Sequence, residues 1–156
     1  MNAEYYAEIF QRELQQLHKE VIAYETDESL WQELSGIQNT GGNLCLHLIG
    51  NLNHFIGATL GKTGYVRNRD AEFGTTGLTK HELLVMLNES QAMVQMILPK
   101  LNEADMNKEF PFDFLGKHPT RWYLNQFLLH FNYHLGQLNY HRRIVHARFA
   151  VSSSTS

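Results

Sequence analysis

The chain has 156 residues, 43 % of them hydrophobic and 19 % charged, with a formal charge of -3, one Cys and nine His. That apolar share supports one packed domain and excludes a disordered chain, while the slight negative charge excludes a field that would gather nucleic acid. A single thiol makes neither an internal disulfide nor a cysteine zinc cage, which points to a reducing, cytoplasmic setting.

Glycine and proline punctuate the chain unevenly. Nine of the eleven Gly lie between Gly36 and Gly77 and all three Pro between Pro99 and Pro119, so both ends read as long helices. No charged-then-apolar leader opens the sequence, and the longest apolar run, Leu83 to Leu87, is far short of a membrane span. Asn2 to about Tyr24 places Tyr5, Ile9, Leu14, Leu17, Val21 and Tyr24 at helical spacing, with Gln11, Arg12, Gln15, Gln16, Lys19 and Glu20 on the other faces. This predicts an amphipathic outer helix. Thr26 to Gly42 reads as a connection, and a second helix runs from about Thr40 to Leu60 with Asn39 or Thr40 as its cap. Its Leu44, Cys45, Leu46, Leu48, Ile49, Leu52, Phe55 and Ile56 are the pattern of a mostly buried helix.

Gly61 to Gly77 reads as loop. Thr79-Lys80-His81-Glu82 is a capping box that opens a third helix carrying Leu83, Leu84, Leu87, Val94 and Ile97, ended or kinked at Pro99. Asn107 to Pro119 forms a second connection, whose Phe110, Phe112, Phe114 and Leu115 are expected to cover one end of the bundle. Thr120 then caps a last helix to about Arg148, and Val151 to Ser156 is expected to be a disordered polar tail. No strand period appears. The expectation is an all-α four-helix bundle with long crossover connections, residues 1–150 forming a single domain.

The nine His are the unusual feature. His130 and His134 are four apart and project from one helix face, which Gln137 and His141 continue. The second helix carries a matching polar stripe of Asn43, His47, Asn51 and His54 on an otherwise apolar cylinder, costly unless used or solvated. One function of such a pair of stripes is a divalent metal between two helices. Imidazole suits Zn, Ni, Cu and Fe, and three protein ligands leave a position open for water or substrate. The competing reading is a bundle-core His satisfied by Asn, Gln or Tyr, because a His pair at this spacing has a chance expectation of about 0.5 here. Spacing alone does not separate His47 from His54 as the third ligand.

Three segments resemble one family. Leu129-His130-Phe131-Asn132-Tyr133-His134-Leu135-Gly136-Gln137-Leu138 is similar to the His-x-x-x-His-x-Gly-Gln segment of DinB-like proteins. Asn43-Leu44-Cys45-Leu46-His47-Leu48-Ile49-Gly50-Asn51 resembles their His-Leu-x-Gly-Asn segment. Arg67-Asn68-Arg69-Asp70-Ala71-Glu72-Phe73 resembles an Arg-x-Arg-x-x-Glu-Phe stretch of one uncharacterised branch. The resemblance implies a four-helix bundle, often dimeric, with a divalent metal on three His, which here are His47, His130 and His134. It also implies relatives that are metal-dependent transferases and isomerases using a low-molecular-weight thiol, although no segment here marks a thiol site.

The remaining polar groups are assigned around that triad. Asn51, His54, Gln137 and His141 are candidates to contact substrate or a ligating imidazole, and Arg67 and Arg69 to anchor an anionic substrate. Phe131, Asn132 and Tyr133 stand between the two His of the last helix, so a peptidase with a Glu base at that point is disfavoured. Cys45 faces away from His47 and reads as a small core residue. Two functions stay open: a metal-dependent transferase or hydrolase of small molecules, or a non-catalytic metal-binding or stress-related interaction protein. Neither involves nucleic acid or a membrane.

Overall fold

Asn2 opens α1 (Ala3–Ile22) by accepting the Tyr5 amide through its side chain. The computed structural model describes residues 2–153, and of residues 149–153 the backbone alone. The buried stripe of α1 is Tyr6, Phe10, Leu14, Leu17 and Val21. It runs one residue later at its start than the predicted Tyr5–Ile9 step, and Tyr5 is 47 % exposed. The Tyr6 hydroxyl explains the choice: it donates to the Arg121 carbonyl at 3.0 Å and tethers α1 to the last helix.

A 3-10 turn over Glu28–Trp31 precedes α2 (Gly41–Leu52), whose cap is Thr40, bonded to the Asn43 amide. All twelve α2 residues are buried. Gly42 makes this approach feasible, since a Cβ there would stand 2.5 Å from the Trp31 ring. The helix then widens into a π-helical segment over Asn53–Leu60. The stretch read as loop contains a short helix α3 (Arg69–Gly74), capped by the Asn68 side chain.

The Thr79–Glu82 capping box opens α4 (Lys80–Ile97), which ends in a 3-10 turn at Leu98–Lys100 around Pro99. A second short helix, α5 (Glu103–Asn107), was also not expected. The last helix, α6 (Thr120–Ser153), extends past Arg148 into the segment expected to be a disordered tail; residues 154–156 of that tail lie outside the described residues. Thr120 is its first residue, and its hydroxyl donates to the Lys108 carbonyl rather than back into the helix.

The fold is all-α. Helix α1 packs on α4 and α6, and α2 packs on the same two, so these long helices enclose one core. Phe110 is buried and stacks on Tyr123 at one end of that core, while Phe112, Phe114 and Leu115 stay exposed. Among the described residues no helix is long and apolar enough to cross a membrane, and the only bridges are the isolated pairs Leu34–Ile37 and Glu109–Pro119.

Candidate metal centre

His47 stands on buried α2, and His130 and His134 stand one turn apart on the facing side of α6. One ring nitrogen from each lies within 4.8 Å of the other two. The His47 ring centroid is 5.0 Å from that of His130 and 4.9 Å from that of His134, and the two α6 rings are 4.5 Å apart. His47 Nε2 and His130 Nε2 face each other at 3.1 Å. Two nitrogens on a tetrahedral zinc at ordinary bond lengths are about 3.3 Å apart, so this spacing already suits one ion between them.

The other ring nitrogens show why the lone pairs point inward. His47 Nδ1 lies 2.9 Å from Glu72 Oε2, and both side chains are about 5 % exposed or less. Glu72 is itself clamped by Arg67, through Nε to Oε1 at 2.6 Å and a terminal nitrogen to Oε2 at 2.9 Å. An ionised carboxylate only accepts, so His47 keeps its proton on Nδ1 and leaves Nε2 bare toward α6. His134 Nδ1 lies 2.7 Å from Gln137 Oε1, which selects the same tautomer there. His130 Nδ1 is buried with no partner.

Electrostatics keep His47 and His130 neutral and ready to coordinate. Burial lowers the His47 imidazole below its ordinary value, against the opposing bond from Glu72. Burial, then the neighbouring His134 and His47, take His130 down to about 4. Burial pushes the Glu72 carboxyl up, but the bonds from Arg67 and His47 outweigh it and hold the group below the usual carboxylate range. Neutral imidazole is the form that binds a cation.

Local sequence explains how Glu72 arrives 25 residues after His47. Asn43, one turn of the stripe earlier, extends Nδ2 to the carbonyls of Glu72, Phe73 and Thr75 at 3.0–3.2 Å and pins α3 to α2. Gly50 then clears the carboxylate's place, because a Cβ there would lie 2.2 Å from Glu72 Oε1. The polar stripe on α2 is thus divided between an anchor, Asn43, and a candidate ligand, His47.

A cavity of about 1060 Å³ opens beside the three imidazoles. Phe55, Phe73, Phe114, Leu115 and Phe127 form its apolar side, and Gln38, Asn39, Asn51, Gln126, Arg67 and Arg69 its polar side.

The predicted site residues divide by placement. His47, His130 and His134 converge, with Asn51, Arg67 and Arg69 on the adjoining wall. His54 is not brought to the group. It stands seven residues, about 10 Å, further along the helix axis than His47, at the start of the π-helical segment, where its ring packs on Phe55 and Phe112. His141 is also elsewhere: it is buried, with Nδ1 2.7 Å from the Tyr24 hydroxyl and Nε2 2.8 Å from the Gln32 carbonyl. Gln137 touches His134 and not the cavity. Cys45 is buried, and burial pushes its thiol up to about 12, which agrees with its reading as core. Glu72 was missed as a site residue; its one sequence signal was its position in the Arg67–Phe73 stretch.

The helical architecture defines a fold class, the DinB-like fold. A crystal structure described as a DinB-like protein from Bacillus cereus ATCC 10987 superposes with a TM-score of 0.70, at 20 % identity over 90 % of each chain, which shows the shared fold. The family described as protein of unknown function DUF1572 matches residues 2–153, and the chain belongs to it. No curated protein matches the sequence.

Proposed function

We propose that this protein is a metal-dependent enzyme acting on a small molecule, with a divalent transition metal, Zn or Ni, held by His47, His130 and His134. The observation that carries the reading is the joint one of three converging imidazoles, two with their tautomers set from behind by Glu72 and Gln137, at the wall of a large cavity. The bound metal supplies Lewis acidity toward a substrate oxygen, a water or a thiol.

The chain's own groups do the rest. Glu72 and Arg67 orient His47 and keep its proton on Nδ1, and Gln137 does the same for His134. Asn51 and Arg69 face the substrate from the cavity wall, and Phe55, Phe114 and Phe127 exclude water around its apolar part. The reaction is a transfer or a hydrolysis, and in the transferase form a low-molecular-weight thiol is the second substrate. The protein works as a cytoplasmic homodimer.

A non-catalytic metal protein would close its site with a fourth side chain and needs no cavity beside it. Among the described residues three His group together with no fourth candidate ligand, and this supports the enzyme reading. The test is a panel of activated esters and thiol-acceptor electrophiles, assayed with metal-loaded wild type, chelator-stripped wild type and His130→Ala. Turnover restricted to the loaded wild type is expected. Turnover that survives stripping contradicts the role given to the metal, and a loaded protein inert across the panel favours the binding-protein reading.

A further inference from the structure

The cavity has a charge pattern that names a ligand class, an inference that rests on the three-histidine reading for the location of the reacting end. Among the described residues no acidic side chain lines the cavity. Glu72, the nearest carboxylate, lies behind His47, is 5 % exposed, and is matched by Arg67. The two arginines are not equivalent. Arg67 has two nitrogens on Glu72, and its guanidinium lies 5.8 Å over the Phe55 ring, so its charge is already matched within the protein. Arg69 has no ion-pair partner among the described residues; it lies over Phe73 at 5.8 Å and lines the same cavity as the three histidines.

Aromatic rings line the same cavity. Phe55 and Phe127 stack at 4.7 Å with 13° between their planes, and Phe114 lies 5.4 Å from Phe55 and is 55 % exposed. A ligand that was only charged would leave these rings wet, and one that was only apolar would bury the Arg69 guanidinium without a counter-charge. We infer that the cavity takes a small amphipathic anion, an aryl or alkyl carboxylate, whose negative end is met by Arg69 beside the histidine triad while its apolar body lies on Phe55, Phe114 and Phe127. Arg67 is a positioning residue for Glu72 and not a ligand contact.

Calorimetric titration with three probes tests this: phenylacetate, acetate, which lacks the apolar body, and phenylethanol, which lacks the charge. Each is titrated into zinc-loaded and chelator-stripped protein whose metal content is measured on the same sample. Phenylacetate is expected to bind the loaded wild type at least about fivefold more tightly than either other probe. Arg69→Gln, a change at an exposed position, weakens phenylacetate about tenfold and leaves phenylethanol unchanged. Phe114→Ala weakens both aromatic probes and leaves acetate unchanged. An unchanged phenylacetate affinity in Arg69→Gln, equal binding of phenylethanol, or no binding of any probe overturns the inference. If the protein holds no zinc yet binds phenylacetate in an Arg69-dependent way, the ligand class stands and the metal reading fails; one zinc per chain without Arg69 dependence overturns the ligand class alone.

Discussion

Replacing Glu72 by Gln isolates what the buried carboxylate does for His47. The glutamate accepts three bonds, from Arg67 Nε at 2.6 Å, a terminal Arg67 nitrogen at 2.9 Å and His47 Nδ1 at 2.9 Å. Glutamine has nearly the same volume but one acceptor oxygen and one donor amide. If its oxygen faces Arg67, its NH2 meets His47 Nδ1, and the imidazole must move its proton to Nε2, the atom aimed at His130 and His134. If the oxygen faces His47, the NH2 opposes the Arg67 guanidinium. Either arrangement weakens the metal site, and loss of such a carboxylate partner typically lowers metal affinity about 10–100-fold. Stability also falls, because breaking a buried ion pair costs about 3–5 kcal/mol. Arg67 retains 13 % exposure, so the lower end applies, and about 3 kcal/mol corresponds to roughly 6–12 °C in Tm for a chain this long. Competition titration against a chromophoric zinc chelator reads the affinity, and circular dichroism reads the melting. A folded Glu72→Gln protein with wild-type zinc affinity would refute the tautomer argument.

Gly50→Ala reaches the same pair from the other side, since its Cβ would stand 2.2 Å from Glu72 Oε1; it is expected to lower both zinc affinity and Tm, and a neutral result in both assays contradicts the close approach. His54→Ala should keep the full metal complement, because His54 packs on Phe55 and Phe112 outside the triad, whereas His47→Ala should lose it; metal analysis of the two purified variants decides between them. Stability should also fall as pH drops from 7 to 5. Burial holds His141 below its ordinary value, with the Tyr24 hydroxyl and Gln32 carbonyl on its nitrogens and Glu20 and Arg142 near Tyr24, so the unfolded chain takes up the proton first as pH falls through about 6.5. This contribution is present above that pH and lost below it, and His141→Gln should melt with a flatter pH dependence than wild type; an unchanged slope excludes His141 as a source.

Periodicity carried the long helices and two of their starts, because an apolar stripe at helical spacing and a local capping side chain are properties of neighbouring residues. Thr40 and the Thr79–Glu82 box are capped as their spacing predicts. The one-residue shift from Tyr5 to Tyr6 on α1 was not legible, because it depends on a bond to Arg121 across the bundle. The triad was legible in two parts: the 130–134 spacing gave the pair on α6, and the resemblance to DinB-like segments favoured His47 over His54. Spacing could not make that choice, since His47 and His54 stand two turns apart on one stripe and only the level at which α6 packs on α2 decides which of them meets His130 and His134. Glu72 and His141 went the other way for one reason. Glu72 becomes a site residue only when Asn43 pins α3 onto α2, and His141 becomes a core residue only when Tyr24 and Gln32 close on it. Both roles are set by partners far away in sequence.

The central claim is that His47, His130 and His134 hold a metal. Metal analysis of the untagged protein as purified, followed by titration with zinc and nickel, tests it most directly. About one transition metal per chain is predicted, retained through dialysis in the wild type and absent from His130→Ala and His134→Ala. A wild-type protein that is metal-free and takes up neither added zinc nor added nickel would contradict it.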